Sequence, residues 1–332
     1  MKYILIGGSG FIGQHFQKVL KKDVILNLDI NSGINNSSFE YCDINKEINL
    51  SFLNVEKYSA VCIIHLAAVH FDFQKTYYQT NVEGTQNVLD WISKHKNITN
   101  YVFFSSVATY GETLKEKEEN DEQIPYNDYG KSKLEAEKLI MKWTEKNHNI
   151  KVTIVRPAVV FGEFNFGNVF NFLKQIQSGL FAIIGDGKNI KSIAYAQNLV
   201  NSVLYTVNNI PERLFVYNYS DYPQLSIEQQ SKILSSLSGK KTPVKIPLLL
   251  TKFITLPVDF LEKILGKDLK INSMRVKKFT VPTYFNSDLI RNKGYKQQIS
   301  IEDSYKKTIY WMKNTSNINE LRDKWYDRAS KL

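Results

Sequence analysis

Short apolar runs alternate with longer stretches of helical periodicity through the first half of the chain. The runs YILI, VILNLDI, AVCIIHLA, YVFFSS and KVTIVRP each have the length of a buried strand. Between them, VEGTQNVLDWISKH and YGKSKLEAEKLIMKWTEK place apolar residues three and four apart, which predicts amphipathic helices. Strands that alternate with helices predict a parallel sheet covered on both faces. We therefore expect an α/β, doubly wound fold.

The alternation becomes irregular after Arg156, where the remaining chain is mostly helical and basic. We expect residues 1–160 to form the sheet domain and residues of about 190–222 to return to it. Residues 161–189 and 223–332 would then form mainly a small, mostly helical second domain. The stretch PLLLTKFITLPVDFLEKILG is apolar enough for a membrane-surface helix. Lys252, Pro257 and Asp259 interrupt it, which favours a helix packed in the second domain.

Three glycines, Gly7, Gly10 and Gly13, directly follow the first apolar run and lead into the helical pattern FIGQHFQKVL. Glycine weakens strands and helices, so this density indicates a turn whose bare backbone lets another group come close. A pyrophosphate suits such a turn, because the N–H groups and dipole at a helix N-terminus favour anions. The spacing fits Gly8-x-Gly10-x-x-Gly13 and Gly7-x-x-Gly10-x-x-Gly13, and a plain glycine-rich turn is the alternative.

An acidic residue, Asp29, stands near the end of the second apolar run, about 20 residues after the glycines. A carboxylate at this place would bind the adenosine ribose hydroxyls and repel a 2′-phosphate, which favours NAD over NADP. The alternative is a solvated Asp at a strand end. Together, the strand, turn, helix, strand and acid predict a dinucleotide site.

Charge distinguishes the last third of the chain. Residues 231–332 hold 21 Lys and Arg against 9 Asp and Glu, whereas residues 1–230 hold 22 against 24. This excess indicates either an anionic partner or a basic solvated surface. No nucleic-acid-binding motif accompanies it, and no apolar run is long enough to cross a membrane. Cys42 and Cys62 lack metal-ligand spacing, so we expect no metal and a reduced, cytoplasmic protein.

The segment YGKSK places Tyr129 and Lys133 one helical turn apart on the same face. A phenol titrates near 10 and becomes a useful base when a cation such as Lys133 favours its anion. Upstream, FFSSVATYG ends a predicted strand at Ser106, whose hydroxyl can hold a substrate oxygen. Beside a dinucleotide site, these three residues together predict a place where the oxygen of a substrate alcohol or ketone is held and its proton is moved.

With these motifs the chain resembles the extended short-chain dehydrogenase/reductases, a branch that includes the NAD-dependent nucleotide-sugar epimerases and dehydratases. The motifs that carry the resemblance are GGSGFIG, the acid Asp29, CDI at Cys42–Ile44, HLAA at His65–Ala68, NVEGT at Asn81–Thr85, SSVATYG, YGKSK, RPAVVFG, IGDGKNIKSIAYAQNLV and DLIRNKGYKQQISIEDSYKKTIYW. The resemblance implies a Rossmann sheet, NAD as cofactor and hydride transfer at a sugar carbinol.

The resemblance also implies roles for individual residues. Tyr129 would be the general acid/base, Lys133 would lower its pKa and bind the nicotinamide ribose, and Ser106 would orient the reacting oxygen. The implied cofactor contacts are Gly7, Gly10, Phe11, Ile12, Gly13, Asp29, Asp43, Ile44, Leu66, Ala67, Ala68, Asn81, Ser105, Tyr129, Lys133, Pro157 and Val160. The implied substrate contacts are Ser106, Tyr129, Asn168, Lys191 and Arg275. Helices around 82–92 and 134–143 would form a two-fold homodimer interface.

Two departures from the family pattern bear on the reaction. Dehydratases place Asp-Glu after the Ser or Thr, whereas Val107 and Ala108 follow Ser106, so elimination lacks its acid and base. Many epimerases have an Asn where this chain has Val159. The expected activity is therefore that of a nucleotide-sugar epimerase, with C4 as the expected position, or a reductase, in surface-polysaccharide sugar biosynthesis. An oxidoreductase of a non-nucleotide hydroxy or keto compound and a non-catalytic NAD-sensing protein are the alternatives.

Overall fold

In a computed structural model, which describes residues 1–33, 38–50, 53–70, 76–113, 115–251, 276 and 280–331, seven parallel strands form a central sheet. The strands in the described residues are β1 (Lys2–Ile6), β2 (Val24–Asp29), β3 (Phe39–Tyr41), β4 (Val61–His65), β5 (Ile98–Phe104), β6 (Lys151–Pro157), β7 (Val159–Phe161), β8 (Ile183–Ile184), β9 (Ile193–Tyr195), β10 (Leu214–Tyr219) and β11 (Lys245–Ile246). The sheet order is β10, β6, β5, β4, β1, β2, β3, and β7–β9 and β8–β11 form two short pairs.

Among the described residues, helices lie between these strands and after the last of them. They are α1 (Phe11–Leu20), α2 (Gly84–Ile92), α3 (Asp128–Lys146), α4 (Asn168–Ser178), α5 (Ala196–Asn209), α6 (Ile227–Leu237), α7 (Asp288–Asn292), α8 (Ile301–Asn314) and α9 (Ile318–Lys331). Short 3₁₀ turns span Lys21–Asp23, Val55–Lys57 and Val107–Tyr110, and a π-helical turn, Gln79–Glu83, leads into α2.

Side chains alternate along each strand, so the two faces of the sheet bury different helices. In β1, Ile4 packs in a cluster with Ile140 of α3. The next residue, Leu5, packs on the opposite face with Phe16 of α1 and Leu199 of α5. Helices on both faces of a parallel sheet confirm the predicted doubly wound α/β fold.

A third apolar cluster lies outside the sheet and joins α4, α6 and α8 through Leu173, Leu234 and Tyr305. β10 returns from the second half of the chain to pair with β6 along its full length. The predicted division into a sheet domain and a small helical domain stays a prediction. Because all seven strands are parallel, their carboxyl ends meet at one edge, where ligands bind in open α/β sheets.

The apolar stretch that begins at Pro247 falls within the described residues only as far as Thr251. A helical turn begins at Leu248, and Leu248, Leu249 and Leu250 are exposed. The packed helix predicted for this stretch is therefore wrong at the three leucines, and its remainder lies outside the described residues. No helix in the described part of the chain combines the length and apolar character that a membrane span requires.

Candidate active site

The glycine-rich turn between β1 and α1 leaves little room for side chains. Gly7 has a φ of +81°, and a Cβ on it would lie 2.4 Å from the backbone nitrogen of Ala67. A Cβ on Gly13 would lie 2.3 Å from the carbonyl oxygen of Gly8. Gly10 differs, because it is exposed and the nearest protein atom to its Cβ would be a carbonyl oxygen 3.3 Å away. Packing explains Gly7 and Gly13, while the bare backbone at Gly10 leaves space for an approaching ligand.

The start of α1 supplies the donors that such a ligand needs. Gly10 is the N-cap residue of α1, and no side chain caps the helix there. The first N–H groups of a helix have no partner within it, so those of Phe11 and Ile12 can meet a pyrophosphate. The turn therefore fits a dinucleotide. Its bare backbone at Gly10 and its free helix N–H groups favour this interpretation over that of a plain glycine-rich turn.

Asp29 lies beside this turn at the carboxyl end of β2. One carboxylate oxygen accepts a hydrogen bond from the Ser9 N–H at 2.9 Å, and the other accepts one from the Asn31 N–H at 3.0 Å. These bonds hold the negative charge where the ribose of a dinucleotide bound on the turn would lie. A 2′-phosphate would meet that charge, which agrees with the predicted preference for NAD.

Two groups of the predicted cofactor contacts follow β3 and β4. Asp43 forms a turn with the Asn45 N–H at 3.0 Å, whereas the Ile44 side chain is buried in the core against Gly84. Only the backbone of Ile44 is thus available to a ligand. After β4, the N–H groups of Leu66 and Ala67 donate to the same carbonyl, that of Ile6, at 2.7 and 2.9 Å. This arrangement turns Leu66, Ala67 and Ala68 along the edge beside the glycine turn.

Asn81 fastens three separate segments together and is 1% exposed. Its Oδ1 accepts from the Val69 N–H at 2.9 Å, and its Nδ2 donates to the Val69 carbonyl at 3.0 Å. The same Nδ2 donates to the Ser132 hydroxyl at 2.9 Å, directly before Lys133 in α3. Asn81 therefore supports the site by holding its wall against α3.

Ser106, Tyr129 and Lys133 lie at the carboxyl end of β5 and the start of α3. Ser106 caps the turn Val107–Tyr110, its Oγ accepting from the Ala108 N–H at 3.1 Å, and it also hydrogen-bonds to Tyr129. Asn127 caps α3 through the Gly130 N–H at 2.7 Å, which fixes the first turn that carries Tyr129. The structure thus brings together the two residues predicted to handle the reacting oxygen.

Lys133 is 2% exposed and lies one turn further along α3. Its ammonium donates to the Phe104 carbonyl at 2.8 Å and stands 4.7 Å above the Phe103 ring. Burial lowers the pKa of Lys133 to about 7, and the Glu137 carboxylate opposes that shift. Burial raises the pKa of Tyr129 to about 12, while its hydrogen bond with Ser106 lowers it. The phenol therefore needs further positive charge nearby before it can act as a base at neutral pH.

A buried ion pair lies one helical turn beyond Lys133, where Glu137 of α3 meets Arg156 of β6. Arg156 binds Glu137 through Nε at 3.0 and 3.2 Å and through Nη2 at 2.7 Å, and both side chains are almost fully buried. Arg156 Nη1 also donates to the Tyr110 hydroxyl at 2.7 Å. The Ser105 hydroxyl donates to Glu137 as well. The predicted cofactor contact by Ser105 is therefore left to its backbone, because its side chain belongs to this network.

Neither Glu137 nor Arg156 was among the predicted site residues. The available signal was spacing, since Glu137 follows Lys133 by four residues just as Lys133 follows Tyr129. All three residues therefore share one face of α3. A carboxylate on a helix face that carries a buried lysine needs a cation or donors of its own.

The remaining predicted contacts vary in how they are placed. Pro157 ends β6, and Val160 lies in β7, partly buried. Asn168 is exposed at the first position of α4. The Lys191 ammonium donates to the Val281 carbonyl, and burial lowers its pKa to about 8. Arg275 lies outside the described residues, so its substrate contact stays a prediction.

The fold and the site together define the class of protein. The pattern of the NAD dependent epimerase/dehydratase family matches residues 3–218, and the chain belongs to that family. It is an enzyme family, and its cofactor is NAD, as the glycine turn and Asp29 led us to expect.

Particular relatives extend over most of the chain. An N-acetyl-alpha-D-glucosaminyl-diphospho-ditrans,octacis-undecaprenol 4-epimerase of Escherichia coli O157:H7 is 35% identical over 93% of this chain and 94% of its own. A UDP-glucose 4-epimerase of Vibrio cholerae is 26% identical over 72% of this chain and 76% of its own. A UDP-glucuronic acid 4-epimerase from Bacillus cereus, solved with NAD, has the same fold, with a TM-score of 0.70, 22% identity and coverage of 94% and 99%.

Proposed function

We propose that this protein is an NAD-dependent 4-epimerase of a sugar that is joined to a diphosphate, either a nucleotide sugar or its lipid-linked counterpart. The observation that carries the proposal is the full-length similarity to a 4-epimerase combined with Ser106, Tyr129 and Lys133 at the carboxyl edge of the sheet. By their names, the two relatives act on sugars that are joined to different carriers, undecaprenol in one and a nucleoside in the other. In both substrates a diphosphate joins the sugar to its carrier.

The proposed roles of the residues follow from their contacts. Ser106 and Tyr129, which hydrogen-bond to each other, would hold the sugar hydroxyl whose carbon is oxidised. Tyr129 would take the proton from that oxygen and later return it. NAD, when bound, supplies the hydride acceptor and a positive nicotinamide ring, the cation that lowers the pKa of the phenol. Lys133, held at the Phe104 carbonyl, would bind the nicotinamide ribose beside Tyr129.

The cofactor would be held by the predicted set around the glycine turn, with Asp29 at the adenosine ribose. Asp43, Leu66, Ala67 and Ala68 would form its wall, and Asn81 would support that wall from behind.

Inversion at one carbon needs a keto-sugar that can rotate in the site, so that its other face meets the cofactor. The keto-sugar must also not lose a neighbouring hydroxyl by elimination. Val107 and Ala108 stand where a dehydratase carries carboxylates, so no acid or base is present there to expel a neighbouring hydroxyl. A reductase needs no carboxylates either, so the distinction between epimerase and reductase lies in whether NADH is consumed.

The test follows a nucleotide sugar deuterated at C4. In an epimerase the hydride leaves and returns to the same carbon, so the 4-epimer should form with its label retained and without net change in NADH absorbance. Stoichiometric loss of NADH against a keto-sugar would replace the proposal by a reductase. Binding of NAD without turnover of any sugar would leave an NAD-sensing protein.

The finer predictions about assembly and location belong to the same proposal. We propose a homodimer through α2 and α3 and a cytoplasmic site of action. Leu134 and Trp143 on α3 are half-buried and support this interface. The apolar residues of α2 pack against the sheet, so the support from apolar surface comes from α3. Light scattering tests the dimer, and a monomer at micromolar concentration would refute it.

A further inference from the structure

Residues 240–251 form a surface that the proposed reaction does not use. Val244, Leu248, Leu249 and Leu250 are exposed, with Leu249 reaching 71%. Elsewhere among the residues that the structure describes, exposed large apolar side chains are scattered, and three in a row occur here alone. We call Leu248–Leu250 the leucine turn. Contiguous exposed apolar side chains mark a surface that meets a partner or a membrane.

The leucine turn projects from an ordered scaffold. β11, just before it, pairs in parallel with β8, and the Ile183 N–H donates to the Val244 carbonyl at 2.9 Å. The turn itself is closed by the Thr251 hydroxyl, which donates to the Leu248 carbonyl at 2.7 Å, and Thr251 is 5% exposed. The end at β11 is thus attached to the protein body, Thr251 at the other end is buried, and the leucines between them are exposed.

Positive charge accompanies these apolar side chains. Lys240 and Lys241 are exposed just before β11. Along the sequence, residues 240–278 hold ten Lys and Arg against three Asp and Glu. A hydrophobic protein groove would match the leucines but not the lysines, and an acidic protein would match only the lysines. An anionic bilayer matches both, because apolar side chains enter the headgroup boundary while cations meet lipid phosphates.

We propose that the leucine turn, with Lys240 and Lys241, docks this protein on an anionic membrane surface. The docking stands on these residues alone, whereas its consequence for the reaction rests on the proposed function. An epimerase held at a bilayer would take its sugar diphosphate from a lipid carrier, which is the chemistry in the name of the Escherichia coli O157:H7 relative.

The first experiment measures docking without any substrate, by sedimenting the full-length protein with vesicles. Binding should be stronger to phosphatidylcholine mixed with phosphatidylglycerol than to phosphatidylcholine alone, and added salt should weaken it. Replacing Leu248, Leu249 and Leu250 by Ser should lower the partition coefficient ~100-fold or more. Lys240→Gln and Lys241→Gln should each lower it about fivefold.

The matched control is Tyr310→Ser on α8, since Tyr310 is 70% exposed and nearly equals Leu249. This variant should sediment like the unchanged protein. Absence of binding to anionic vesicles, or an equal loss in Tyr310→Ser, would overturn the docking proposal. Unchanged NAD binding by the serine variant shows that any loss is not due to unfolding.

The second experiment compares two substrates, a sugar diphosphate on a polyprenol in vesicles and UDP-N-acetylglucosamine in solution. The triple serine variant should lose ~10-fold or more of its turnover of the vesicle substrate while its turnover of the soluble one stays within about twofold. A docked protein that epimerises only the soluble sugar refutes the lipid carrier. A protein that epimerises neither refutes the proposed function, and sedimentation still decides the docking.

Discussion

Removing the carboxylate of Glu137 should destabilise the protein strongly, because it leaves the Arg156 guanidinium buried without its counter-charge. Glu137 accepts three hydrogen bonds from Arg156, of 2.7 to 3.2 Å, and others from Ser105 and Gln123. Breaking a buried ion pair by removing one partner costs about 3–5 kcal/mol. Arg156 keeps its bonds to Tyr110 at 2.7 Å and to the Glu119 carbonyl at 3.0 Å, so the lower end of that range is expected.

The assay is urea denaturation of Glu137→Leu, with Glu135→Leu as the matched control. Glu135 lies on the same helix, but its side chain is half exposed and pairs with Lys138 at 2.8 Å. An exposed pair of this kind contributes about 1 kcal/mol or less, so the control should denature nearly like the unchanged protein.

A double variant separates loss of the pair from loss of packing. Glu137→Leu with Arg156→Met removes both charges, and buried pairs replaced by apolar residues are often no less stable. The double variant should therefore be more stable than Glu137→Leu. Equal denaturation midpoints for Glu137→Leu and Glu135→Leu, or a double variant weaker than Glu137→Leu, would refute the reasoning.

Three further predictions concern the site. NAD should bind more tightly than NADP, and Asp29→Asn should narrow the difference in titrations of both cofactors; equal binding by the unchanged protein would remove Asp29 from the ribose site. Tyr129→Phe should lower kcat roughly 10²–10⁴-fold while NAD still binds, whereas Tyr126→Phe, at an exposed tyrosine, should leave kcat unchanged. The third prediction concerns Lys133, whose pKa is about 7 in the folded protein against 10.5 in the unfolded chain. Between these two pH values the unfolded chain binds more protons than the folded protein. Lys133 therefore lowers the free energy of unfolding by an amount that grows as the pH falls from 10.5 to 7. The thermal midpoint of Lys133→Met should therefore be higher than that of the unchanged protein, and the difference should be larger at pH 7 than at pH 10. Lys131→Met, which replaces an exposed lysine, should show no such dependence on pH.

Local patterns predicted the sheet and the glycine turn because both depend on residues that are close to one another in the sequence. The apolar runs located β1, β2, β4, β5 and β6, and glycine spacing located the turn where Gly10 faces open space. The direction of the Ser105 side chain could not be predicted in this way. It depends on Glu137, which lies 32 residues further along the chain, and on Arg156, which pairs with Glu137.

The surface around Leu248 shows a second limit of sequence patterns. An apolar stretch indicates that its side chains are shielded from water. The sequence does not show whether they pack in the protein's own core or contact a separate partner. The folded structure decides this, because it leaves Val244 and Leu248–Leu250 exposed. The substrate contacts were equally hard to predict, since the Lys191 ammonium is engaged by a carbonyl 90 residues away.

The edge position of β10 has a consequence for how the protein is made on the ribosome. When residues 1–160 have emerged from the ribosome, six of the seven sheet strands are available to fold, but the edge of β6 that pairs with β10 is still unprotected. That edge is a template for pairing with other chains until residues 214–219 emerge and dock. A fragment ending at residue 160 would keep the exposed edge permanently, so a nascent chain of that length is where chaperone binding should be most needed.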